Sequence, residues 1–172
     1  MGLVIRLDRW KICCDYFMKK PADFHIWVDA DACPKVIKEI LFRAAKRESI
    51  PLTLVANKPL RIPNSDLISS LLVPAGLDVA DEKILEHIHS GDLIITADIP
   101  FAAAAIEKQA FVLSPRGRFF TKENIGEQLS IRNFMDELRG SGVVTGGPSP
   151  FALKDREMFA NQLNQFLHEH HS

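Results

Sequence analysis

The chain reads as an α/β protein, a parallel sheet of about five strands with helices on both faces. Three observations predict it. Short apolar runs rich in β-formers recur along the chain, most are followed by stretches with apolar residues at helical spacing, and prolines or glycines separate the two kinds of segment. Alternation of this kind builds parallel sheets, because each right-handed crossover returns the chain to the edge from which the strand started.

The first strand covers residues 24–28, Phe24-His25-Ile26-Trp27-Val28, whose aromatic and β-branched side chains suit a packed, pleated surface. Asp29 and Asp31 follow at once, and Pro34 stands where a helix would open. Val36, Ile37, Ile40, Leu41 and Ala44 then form a helical stripe that runs out near Arg47. The second strand covers residues 52–56. It leads into Asn57-Lys58-Pro59-Leu60-Arg61-Ile62-Pro63-Asn64, which two prolines make irregular.

A third strand near residues 71–73 ends at Pro74-Ala75-Gly76, and Asp78 and Asp81 lead a helix that carries Ile84, Leu85 and Ile88 before Ser90-Gly91. Asp92 opens a fourth strand over residues 93–96, which closes on Ala97-Asp98-Ile99-Pro100. Residues 101–108 are an alanine-rich helix and residues 111–113 a fifth short strand. Beyond Ser114 the pattern changes to a basic loop, Arg116-Gly117-Arg118, one or two helices over residues 122–139, and a glycine- and proline-rich stretch over 140–150. A final helix from about residue 154 carries Phe159, Leu163, Phe166 and Leu167, making a C-terminal helical extension. Residues 1–23 follow neither period and read as an N-terminal extension, with Met18 an alternative start. Residues 24–172 read as one domain.

At 172 residues a chain buries roughly 70% of its unfolded surface and needs no staples. A net charge of −1 argues against a strongly basic nucleic-acid coat, so a polyanion partner would be held by a local patch. Three cysteines, Cys13, Cys14 and Cys33, give neither a paired framework nor a Cys-x-x-Cys spacing, which reads as a reducing, cytoplasmic setting. No apolar run approaches the roughly 20 residues of a membrane span.

Helices that follow strands start at the strands' C-terminal ends, so Asp29, Asp31, Asp78, Asp81 and Asp98 fall on one edge of the sheet. Asp92 precedes its strand and belongs at the opposite pole as a turn residue. If the first and fourth strands are neighbours, Asp29 and Asp98 face one crevice. Two carboxylates about 4 Å apart repel by roughly 4 kcal/mol at an effective dielectric of 20, which a divalent cation offsets. All-oxygen donors suit Mg2+ or Mn2+, and the matching chemistry is metal-assisted phosphodiester hydrolysis. Lys58, Arg61, Arg116 and Arg118 lie in loops able to hold the substrate's phosphates. Each acid also has a plainer reading: Asp78, Asp81 and Asp98 stand where helix N-caps belong, and Asp31 can satisfy loop amides. Cys33 reads as a small buried hydrophobe and His25 as a structural histidine.

Several blocks carry a resemblance to a known family. Val28-Asp29-Ala30-Asp31-Ala32-Cys33-Pro34, Val55-Ala56-Asn57, Gly76-Leu77-Asp78-Val79-Ala80-Asp81, Gly91-Asp92-Leu93-Ile94-Ile95-Thr96-Ala97-Asp98-Ile99-Pro100, Pro115-Arg116-Gly117 and Thr145-Gly146-Gly147-Pro148 resemble the YaiI/YqxD family of uncharacterised bacterial proteins, over about residues 25–167. That family is regarded as PIN-like, and the resemblance implies a three-layer PIN-like domain and a Mg2+- or Mn2+-dependent nuclease acting on RNA. The PIN acidic pattern maps onto Asp29, Asp81 and Asp98, with Asp31 and Asp78 as additional acids; the usual mid-chain glutamate has no clear counterpart, since Glu39 sits on the first helix.

The resulting expectation is a cation held by Asp29, Asp78, Asp81 and Asp98, with Asp31 or Asp78 completing the shell or orienting the water, and RNA as the partner. Two rivals stand beside it. A haloacid-dehalogenase-like phosphohydrolase would use Asp29 as nucleophile, Asp31 as acid/base and Thr96 as the second-strand hydroxyl. A non-catalytic RNA- or nucleotide-binding domain would use the basic loops and leave the acids as caps.

Overall fold

A computed structural model describes residues 24–76, 78–144, 146–147 and 149–170. The expected N-terminal extension, and Met18 within it, lies outside the described residues. Among the described residues six strands form one sheet: β1 (Ile26–Asp29), β2 (Leu52–Ala56), β3 (Ile68–Leu72), β4 (Leu93–Ile95), β5 (Phe111–Leu113) and β6 (Phe119–Phe120). Their order is β3-β2-β1-β4-β5-β6. The first five are parallel and β6 alone runs antiparallel, against β5. β1 and β4 are hydrogen-bonded neighbours, with Val28 level with Ile95. The strand order therefore reverses between them, which opens a crevice at their C-terminal ends.

The described residues form five helices, α1 (Lys35–Glu48), α2 (Val79–His87), α3 (Ile99–Glu107), α4 (Ile125–Gly140) and α5 (Leu153–His170), of which α4 packs on α3. The layering follows from the alternation of side chains along each strand. Ile26, Val28, Leu52, Leu54, Leu93 and Ile95 point to one face, where Ile37, Leu41 and Ala44 of α1 and Phe159, Leu163 and Phe166 of α5 pack. Trp27, Val55, Ile94 and Val112 point to the other, beneath Ile84 of α2 and Phe101, Ala102 and Ile106 of α3. The result is the three-layer α/β arrangement expected of a PIN-like domain. Among the described residues no helix is long and apolar enough to cross a membrane.

The connection from β2 to β3 contains no helix. Leu60, Ile62 and Leu67 of this irregular stretch pack against the same core as α1 and α5, so the loop itself serves as the crossover. β3 begins at Ile68, earlier than the expected start near residue 71, because Ser69 and Ser70 hide the strand's apolar pattern on an exposed edge. β6 was not anticipated at all: it is two residues long, too short to show a period. Residues 122–139 hold a single helix, α4.

Asp92 lies at the pole opposite the crevice, as expected, yet it is buried and is more than a turn residue. Its carboxylate accepts the backbone N–H of His25 at 2.9 Å, that of His89 at 2.8 Å and the indole N–H of Trp27 at 3.2 Å. One acid thereby ties the entries of β1 and β4 together. His25 is structural: its ring shares a 2.8 Å hydrogen bond with Thr53 Oγ1, and burial holds its pKa below the usual histidine value.

Candidate functional site

The ends of β1 and β4 and the start of α2 meet in one open cavity of about 430 Å3. Asp29, Asp31, Asp78, Asp81 and Asp98 all line it, with Asn57, Ala32 and Ala97. All five acids read from the sequence are thus brought together. Glu39 faces solvent on α1 and does not line the cavity.

Each acid is held differently. Asp29 is the last residue of β1 and is 9% exposed; its Oδ2 accepts a 3.3 Å hydrogen bond from Thr96 Oγ1. Burial pushes its pKa up, the Thr96 hydroxyl opposes this, and the charge of Asp31 adds to it. Asp31 is exposed and accepts the backbone N–H of Asn57 at 2.9 Å, which fastens the loop after β1 to the end of β2. Asp98 is a true N-cap, taking the Phe101 N–H at 2.8 Å, while its own N–H donates to Thr96 Oγ1 at 3.0 Å. Thr96 therefore links Asp29 to Asp98.

Capping does not explain the other two. Asp78 occupies the N-cap position of α2, but its side chain makes no cap hydrogen bond and its φ of 59° is left-handed. Asp81 lies within the first turn of α2 and does not precede the helix as expected. Burial, together with the charges of Asp29, Asp98 and Asp78, pushes its pKa up to about 7. These acids are close enough in space to oppose each other's ionisation. Their donors are hard oxygens, the chemistry of Mg2+ and Mn2+ sites and unlike the nitrogen and sulfur donors that favour zinc. Among the described residues, no three histidine, cysteine, aspartate or glutamate side chains stand together so as to hold a metal ion.

Cys33, beside the acids, is buried, and burial pushes its thiol up to about 12, which leaves it protonated and inert. Lys38 on α1 donates to the carbonyl of Ala30 at 2.8 Å and so braces the backbone between Asp29 and Asp31. The apolar stripe of the same helix masked that lysine's role in the sequence. The part played by the Asn57 amide was within reach, since Asn57 directly follows the neighbouring parallel strand.

The basic residues do not enter the acid cavity. Arg116 and Arg118 line a second, larger cavity that shares Ala32 and Ala97 with the first. Arg116 is bound to Asp155 at 2.9 Å and donates to the Ser149 carbonyl; Arg118 donates to Gln128 Oε1 at 3.2 Å. Lys58 and Arg61 are exposed on the β2–β3 connection and line neither cavity.

The family model described as "Uncharacterized BCR, YaiI/YqxD family" matches residues 27–169. The chain belongs to the YaiI/YqxD family. The match takes in every acid of the cavity. Among its relatives is a UPF0178 protein of Bordetella petrii, 60% identical over 143 residues that cover 83% of this chain and 95% of that protein. A second, from Shewanella baltica, is 56% identical over 146 residues, 85% of this chain and 97% of the relative. A third, from Acidithiobacillus ferrooxidans, is 58% identical over 143 residues, 83% and 97% of the two chains. No solved structure matches this YaiI/YqxD chain.

Proposed function

We propose that this YaiI/YqxD protein is a divalent-cation-dependent nuclease, with RNA its favoured substrate in a cytoplasmic setting. One observation carries the reading: carboxylates from two strand ends and a helix start line a single cavity where the sheet order reverses. Clustering acids in this way is unfavourable on its own, as the raised Asp81 shows, and a cation with a phosphate ligand would relieve it. Mg2+ is ordinarily held by one or two carboxylates, with water and substrate phosphate filling the other positions, so a three-acid cluster is not required.

Two of Asp29, Asp81 and Asp98 would hold the cation directly, with the third and Asp78 reaching it through bound water. A bound divalent cation would supply charge neutralisation for the phosphodiester and a more acidic water. Asp31, fixed by the Asn57 amide, would orient that water, and Thr96 would keep Asp29 and Asp98 at a fixed separation. Calorimetric titration with Mn2+ at neutral pH tests the site. The parent is expected to bind saturably, Asp29→Asn and Asp98→Asn are expected to lose binding, and the parent alone should cleave RNA with Mn2+ present. Absence of Mn2+ binding and of RNA cleavage in the parent would overturn the proposal.

A second reading rests on the Thr96–Asp29 hydrogen bond, which matches a phosphohydrolase with Asp29 as nucleophile. A beryllofluoride adduct on Asp29, with no cleavage of internal phosphodiester bonds, would favour it.

A further inference from the structure

The larger cavity differs in chemistry from the acid cavity it adjoins. It encloses about 820 Å3, within the roughly 300–1,000 Å3 of small-ligand sites, and its far wall comes from the β5–β6 hairpin, α4 and α5. Phe120, Phe151 and Met158 give it apolar surface, and Arg118 and Lys154 stand exposed on its lining. Arg116 carries a third positive charge, but Asp155 pairs with it and the Ser149 carbonyl takes its other hydrogen bond. Arg116 therefore holds the rim, and Arg118 and Lys154 supply the net charge of +2 that the cavity presents. The residues lining both cavities, Ala32 and Ala97, directly follow Asp31 and precede Asp98, so the two cavities adjoin beside the acids.

We propose that this cavity is the subsite for the nucleotide that flanks the phosphate presented to the acids. Arg118 and Lys154 would take its phosphate, and Phe151 and Met158 would receive its base. The inference rests on the nuclease reading for what lies next door. It makes its own claim about where the strand runs, towards β5 and α5 and away from Lys58 and Arg61 beyond β2. An unstacked base is needed to meet an aromatic wall, so the occupant is a single strand.

Fluorescence anisotropy with a labelled twelve-residue oligouridylate, in EDTA so that no cleavage occurs, tests it. Arg118→Ala and Lys154→Ala alter exposed side chains and are expected to weaken binding about three- to tenfold each. Each should also flatten the salt dependence by about 0.7 in the log–log slope, as expected for one lost phosphate contact on a single strand. Phe151→Ala should weaken binding about tenfold at every salt concentration with the slope unchanged. Lys46→Ala, on α1, serves as the charge-matched control and should bind as the parent does. No binding by the parent, parent-like affinity in the Arg118→Ala/Lys154→Ala double variant, or equal affinity for a duplex of the same length would each overturn the inference. The two proposals fail separately. Parent-like binding in the double variant alongside intact RNA cleavage removes the subsite and keeps the nuclease. Binding that depends on Arg118 and Lys154 without any cleavage keeps the subsite and removes the nuclease.

Discussion

At the scale of single residues, Asp81 concentrates the electrostatic tension of the site. For a half-buried group that solvent screens, a rise from 3.8 to about 7 is worth about 1–2 kcal/mol. The sign follows from which state holds the proton. Below pH 3.8 the carboxyl is protonated both folded and unfolded and contributes nothing. Between 3.8 and about 7 only the unfolded chain ionises it, so the folded state loses stability as pH rises, and above about 7 the loss is constant. Asp81→Asn is therefore expected to raise stability by about 1–2 kcal/mol at pH 8 in EDTA and to leave it nearly unchanged at pH 3.5, as read by urea denaturation. A variant that stabilises equally at both pH values would show that packing, and not charge, is responsible. Asp29 was legible as a candidate site residue because a carboxylate directly ends a buried strand. Its link through Thr96 to Asp98 was not, because 67 residues separate Asp29 from its hydroxyl partner.

At the scale of elements, α2 and α3 both start at the cavity, but their first residues do different work. Asp98 caps α3 and faces the acids together, whereas Asp78 sits at the same position of α2 and caps nothing. The two roles of Asp98 separate by substitution. Asp98→Asn keeps an acceptor for the Phe101 amide and should cost less than about 0.5 kcal/mol, while Asp98→Ala should cost about 1 kcal/mol; both should lose Mn2+ binding. Thermal melts of the pair beside their Mn2+ titrations check this, and equal stability losses would contradict the assigned cap. Helix starts of this kind are visible in sequence because Asp before an apolar-periodic run is a local signal. Whether the side chain turns inward to cap or outward to the cavity is decided by backbone dihedrals, such as the 59° φ of Asp78, which composition does not encode.

At the scale of the whole molecule, the acid cavity follows from the strand reversal between β1 and β4, whereas the larger cavity exists because the β5–β6 hairpin docks against α5. Gly117 makes that approach possible: its φ is 78°, and a Cβ there would lie 2.5 Å from the backbone N of Phe159. Gly117→Ala should destabilise the protein by more than about 2 kcal/mol and should also weaken oligonucleotide binding, since the hairpin carries Arg118. Chemical denaturation and anisotropy measure the two effects, and parent-like stability would show that the hairpin can shift away from α5. By itself the sequence determined the alternation of strands and helices, the two-faced burial, and the edge of the sheet on which five aspartates fall, because period and strand-end position are local properties of the chain. Only the tertiary structure decided that β1 lies beside β4, that Thr96 joins Asp29 to Asp98, and that Arg118 and Lys154 line a cavity next to the acids while Lys58 and Arg61 do not. Those relations are set by strand order and by the docking of α5, contacts between segments far apart in the chain, which no local pattern specifies.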